Sequence, residues 1–237
     1  MTQRSMPVGQ TRTIVVWGDN IAVEGWERER VQANTNSRWG LQIERRQATD
    51  IRRERARAAI GEYVLFDVSF DNPFNRSKHL TKNLQGEVIV VQVRGDGQVR
   101  VPVNSELIVY AGYDGEVRHL HGRVTATSGR DLKLQDVQVL VHAAAGRDLD
   151  IDCATLEGSD LKFSAGRDLR FYVHDLSDAK VNIMDRGSYW EALLGDGRIT
   201  LKLRAGGDVT LVTDKVVQAQ PPHYLLGNIE RPAPETT

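Results

Sequence analysis

SGRDL at Ser128–Leu132, AGRDL at Ala145–Leu149, AGRDL at Ala165–Leu169 and AGGDV at Ala205–Val209 are four spellings of one phrase. Their glycines, Gly129, Gly146, Gly166 and Gly206, stand 17, 20 and 40 residues apart. Forty is twice twenty, which leaves room for one degenerate copy. A fixed period of this size marks an architecture in which each repeat packs on its neighbours.

Aligned on Asp131, Asp148, Asp168 and Asp208, the copies continue with Leu132, Leu149, Leu169 and Val209. Two residues further on stand Leu134, Ile151, Phe171 and Leu211. The two-residue period of a strand puts both sets on one face and turns Lys133, Asp150, Arg170 and Thr210 outward. A second apolar column joins Leu161, Val181 and Leu201 with Phe163, Ile183 and Leu203. The pattern predicts an all-β fold. The form expected is a parallel β-solenoid with coils of about 20 residues, stacked about 4.8 Å apart, and right-handed like most parallel connections. The degenerate copy falls on Asp185–Tyr189. Tyr189 would take the place of Leu169, but Glu191 would take that of Phe171, and an unpaired buried carboxylate is unfavourable. That coil is expected to leave the strand path, as a helical turn.

Earlier units, GEVIV, GQVRVPV, GEVRHL and GRVTAT, begin at Gly86, Gly97, Gly115 and Gly122. Each is read as a glycine with positive φ at a corner, followed by an alternating strand. The chain thus divides into a β-rich region over 1–85 that caps the solenoid, the solenoid over 86–215, and a proline-rich tail over 216–237. Within the first region, TRTIVVW and NIAVEGW read as strands around a turn at Gly18–Asn20, and EYVLFDVSF at 62–70 as another. The one helix expected runs near 50–60, begun by Asp50 and ended by Gly61.

The net charge of −1 gives no long-range pull toward nucleic acid or anionic lipid. One cysteine, Cys153, rules out an internal disulfide and reads as a small core residue at a strand end. No apolar run is long enough to span a membrane. The first twenty residues lack a signal-peptide core, so a cytoplasmic location is expected, with the cell envelope the alternative for a chain trimmed at its start.

Arg130, Arg147 and Arg167 form a column that could grip a polyanion or pair with aspartates beside it or one coil away. The latter is the expectation. Asp148, Asp150 and Asp152 alternate along one strand. They could bind Ca²⁺ or serve acid–base chemistry, but Asp150 between Lys133 and Arg170 reads as an opposite-charge ladder, and Asp148 as an acceptor for corner N–H groups. Six arginines between Arg45 and Arg57 read as a solvated face without the aromatics that base stacking needs. His119 and His121 share a strand side but lack further ligands, and zinc takes three or four. Tyr189 and Trp190, in the irregular coil, are the candidate partner contact. No nucleophile, P-loop or Rossmann motif is present, so catalytic, metal and cofactor assignments are none.

The run Val99–Thr213, with its Gly-x-Val and Gly-x-Asp-Leu units, resembles the bacterial adhesin-like domain family of unknown function. NIAVEGWERERVQ at Asn20–Gln32 is similar to that family's opening strand pair, and VRVPVNSELIVYAGYDGEV at Val99–Val117 to its middle segment. The repeats are more distantly similar to those of filamentous haemagglutinin. The resemblance implies a β-solenoid with no established catalytic residues. Members often carry a membrane anchor, and none is expected here. The functional expectation is a non-enzymatic scaffold or interaction protein that binds a protein partner or itself; nucleic acid is not expected. The alternatives are a carbohydrate-active solenoid enzyme using outward carboxylates and a polyanion-binding module.

Overall fold

The computed structural model describes residues 2–37, 40–51, 84–156, 160–173, 184–185, 189–194 and 199–213. Those residues form an all-β fold. Its strands are β1 (Thr2–Pro7), β2 (Thr13–Trp26), β3 (Arg30–Thr35), β4 (Leu41–Gln47), β5 (Glu87–Pro102), β6 (Glu106–Ala111), β7 (Gly115–Ser128) and β8 (Leu132–Ala145). There follow β9 (Leu149–Leu156), β10 (Asp160–Ala165), β11 (Leu169–Val173), β12 (Met184–Asp185), β13 (Tyr189–Leu194), β14 (Ile199–Arg204) and β15 (Val209–Thr213). All are joined in one mixed sheet.

Parallel pairing dominates its middle. One set of parallel neighbours runs through β5, β2, β6, β7, β8, β10 and β14. A second set uses the later halves of β5 and β2 and the earlier halves of β7 and β8, then β9, β11 and β15. A corner separates the two, and the phrase Gly-x-Asp sits there. In the second set Gly97, Ile21, Gly115, Leu132, Leu149, Leu169 and Val209 lie in register. Leu149 and Leu169 are 1 % exposed and Val209 is 5 % exposed. Val117, Leu134, Ile151 and Phe171 continue the buried column two residues on, where Phe171 packs against Phe163 with ring centres 5.2 Å apart.

Antiparallel strands close the sides. β3 and β4 both pair with β5, and β1 pairs with β3. β13 pairs with β14, and β12 with β13. β2 lies between β5 and β6, so hydrogen bonding interleaves segments from either side of residue 86. Gly18–Asn20 is a corner within a continuous β2, marked by a register shift.

Four expectations are corrected. Leu169 pairs directly with Val209, and Leu161 with Leu201, so the forty-residue step is one step of the stack. Tyr189 takes no place in the Leu169 row; Tyr189–Leu194 is a strand antiparallel to β14, where a helical turn was expected. A parallel row would have set Glu191 in the column of Phe171, which is fully buried. Third, Gly86 has φ of +67°, but Gly97, Gly115 and Gly122 lack positive φ. A Cβ on Gly122 would overlap the Ser105 carbonyl oxygen. Fourth, a helical turn spans 48–51, so Asp50 lies inside it and does not begin it. The rest of the expected helix, the strand at 62–70, Val181, Ile183 and the tail at 216–237 lie outside the described residues.

A second apolar cluster was not foreseen. Val15, Val88, Val90, Ile108 and Tyr110 point away from the main core and are buried against Ala48, Ile51 and Leu84. This part of the sheet is covered on both faces, which is why TIVVW, EVIVV and ELIVY are continuous apolar runs.

Candidate functional site

The corner joins the two parallel sets, and its chemistry repeats from layer to layer. Each glycine there meets the backbone of the layer before it. A Cβ on Gly129 would overlap the Gly112 carbonyl oxygen, one on Gly146 that of Gly129, and one on Gly166 that of Gly146. Only a residue without a side chain permits stacking this close.

The arginine after the glycine reaches back to an aspartate of the preceding layer. Arg130 Nε donates to Asp114 Oδ1 at 3.1 Å, Arg147 Nε to Asp131 Oδ1 at 2.7 Å, and Arg167 Nε to Asp148 Oδ1 at 2.8 Å. In each pair Nη2 donates to the other carboxylate oxygen, so the contact is bidentate. The same aspartates accept a backbone N–H from the next layer: Asp131 N–H to Asp114, Asp148 N–H to Asp131 and Asp168 N–H to Asp148, at 3.3–3.4 Å. The hydrogen bond from Arg130 holds the Asp114 carboxyl below its ordinary range, and that from Arg147 does the same for Asp131. The aspartates in turn push Arg130, Arg147 and Arg167 above the ordinary guanidinium value.

The ladder is longer than the four phrases. Asp114 precedes it in Ala111-Gly112-Tyr113-Asp114, the same phrase with tyrosine for arginine and Gly112 17 residues before Gly129. Asn20 precedes Asp114: its Oδ1 accepts Asp114 N–H at 3.3 Å, and its Nδ2 donates to Asp96 Oδ1 at 2.8 Å. The signal that could have found both is Gly-x-Asx before a small or apolar residue, a looser phrase than GRDL. Arg130 also lies over the Tyr113 ring, 5.5 Å from its centre.

The sequence candidates divide accordingly. Arg130, Arg147 and Arg167 are brought together, half exposed, each bound to a carboxylate. Asp148 is a corner acceptor. Asp150 stands in register between Lys133 and Arg170, and Asp152 pairs in register with Tyr172. Arg45 is held by Thr11, Glu87 and the Pro7 carbonyl; the hydrogen bond from Thr11, and after it that from Arg45, lowers the Glu87 pKa. Arg46 lies 3.6 Å from Glu44, while Arg52, Arg53, Arg55 and Arg57 lie outside the described residues. His119 has φ of +56° and its Nδ1 is 2.7 Å from Asp136. Among the described residues no three potential metal-binding side chains gather. Cys153 is buried, and burial pushes its thiol up to about 12. Tyr189 and Trp190 lie in register with Arg204 and Leu203, the last residues before the Ala205–Asp208 corner.

A shallow cleft opens beside the early corners. Ala22, Gly97, Asn34, Gln98, Asp96 and Glu116 are among the residues that line it. Glu116 is engaged by Arg118, and Asp96 by Asn20 and Asn36. Among the described residues no helix is long and apolar enough to cross a membrane. No family model, curated protein or solved structure matches the chain.

Proposed function

We propose that the chain is a non-enzymatic β-solenoid scaffold or interaction module, similar to the bacterial adhesin-like domain family. In this reading the parallel layers are right-handed coils, β2 is one of them, and β1, β3 and β4 of the region before residue 86 serve as an end cap. The observation that carries the reading is the corner ladder. The polar groups that an enzyme or a polyanion site would need there are committed to holding adjacent layers: each arginine to a carboxylate, and Asp114, Asp131 and Asp148 to an arginine and a backbone N–H. A repeated surface held this way suits display or assembly.

Light scattering over a hundredfold concentration range tests the assembly side. A mass that rises with concentration is expected, and a monomer throughout overturns self-association. The non-enzymatic side is tested on a panel of acidic and neutral polysaccharides. Cleavage that disappears in Asp148→Asn or Asp150→Asn overturns it and favours the carbohydrate-active alternative.

A further inference from the structure

Three of the four strand edges at the ends of the parallel layers are covered. β3 and β4 take the two halves of β5, and β13 takes β14. β15 is the fourth, and among the described residues it pairs with β11 alone. Its sequence, VTLVT, holds no charge and no proline, so nothing in it blunts the edge against a further strand.

The corner just before β15 is unfinished as well. In each layer the N–H after the aspartate donates to the next layer: Leu132 to Asp148 O, Leu149 to Asp168 O and Leu169 to Asp208 O, all at 2.9 Å. Val209 N–H is the next donor in that series. Carbonyls of the arginine position accept likewise: Arg130 O from Arg147 N–H, Arg147 O from Arg167 N–H and Arg167 O from Gly207 N–H. Gly207 O is the next acceptor. Asp114, Asp131 and Asp148 each take an arginine from the layer that follows. Asp208, exposed, has no following layer among the described residues to supply one.

We propose that the β15 edge and Asp208 together form a docking rung for an extended segment of a partner chain. The segment adds as a parallel strand and carries an arginine two residues before its first strand residue. Its backbone takes the donors and acceptors of β15, and its guanidinium takes the Asp208 carboxylate side-on, as Arg130, Arg147 and Arg167 take Asp114, Asp131 and Asp148; the Asp168 rung differs, with Gly207 at the arginine position. The proposal rests on the interaction reading above, and the two fail separately. Light scattering judges self-association; a peptide titration judges this edge.

The probe is a fluorescently labelled octapeptide with the sequence of Gly166–Val173, GRDLRFYV, titrated with the full chain and followed by anisotropy. Saturable binding is expected. Replacing the first arginine of the peptide by alanine, or Asp208→Ala in the protein, weakens it about tenfold. Asp208→Ala keeps the backbone N–H that donates to Asp168, so its melting temperature should match the parent's. The charge-swapped pair, Asp208→Arg with aspartate at that peptide position, regains binding relative to either change alone. Absence of binding, the result expected if the chain's own C-terminal residues hold the edge, overturns the proposal. Binding indifferent to Asp208→Ala and to the arginine also overturns it.

Discussion

At Gly146 a methyl group would overlap the Gly129 carbonyl oxygen, so Gly146→Ala must push two layers apart. We expect a loss of about 2–4 kcal/mol by urea denaturation. Gly86→Ala meets nothing within 4 Å and strains only its φ of +67°, so it should lose about 1 kcal/mol. Asp114 and Asp131 respond to pH through the arginines that hold them. Their folded pKa values lie below the ordinary 3.8. The stability they contribute is therefore present above the unfolded value and is lost as pH falls through the folded one. The urea midpoint should drop as pH falls from about 5 to below about 3, and Asp131→Asn should flatten that drop. Cys153, buried with its pKa near 12, should resist a disulfide reagent at mildly alkaline pH in the native chain and react at once in urea.

Stacked strands make each outward residue a neighbour of its register partners. Asp150→Lys would set three cations side by side with Lys133 and Arg170. The expected cost is about 0.5–1 kcal/mol, smaller at high salt, as paired melts at two ionic strengths would show. Phe171→Ala empties a fully buried site against Phe163 and should cost about 3–5 kcal/mol. Leu149, Leu169 and Val209 announced their row in the sequence because the corner phrase sits at the same offset before each. β2 and β5 hid theirs. Their corners read Gly-Asp-Asn and Gly-Asp-Gly, and their apolar runs lack alternation because both faces of the sheet are covered there. The antiparallel place of Tyr189–Leu194 was illegible for another reason: Glu191 showed that the strand could not lie in the row, but not where else it would go. At the corner the arginine–aspartate pairing was legible from spacing. The backbone N–H groups that finish each rung follow from layer geometry, which residue identity does not encode.

At the scale of the molecule the charge ladder bears on ligands. Three guanidinium groups lie along one edge, yet each is neutralised by a carboxylate of this chain, and the net charge is −1. Heparin chromatography at low salt should give no retention, and retention that Arg147→Ala removes would revive the polyanion alternative. The position of β2 between β5 and β6 carries a kinetic consequence. A ribosome releases residues 13–26 long before either of their lateral neighbours exists, so that segment must wait without a template while some sixty further residues emerge. Only then can the closing loop between Pro102 and Glu106 straddle it. Growth from the first-synthesised end is barred, and refolding should be slow for the chain's length because this early long-distance insertion comes before the local stacking that rewards it.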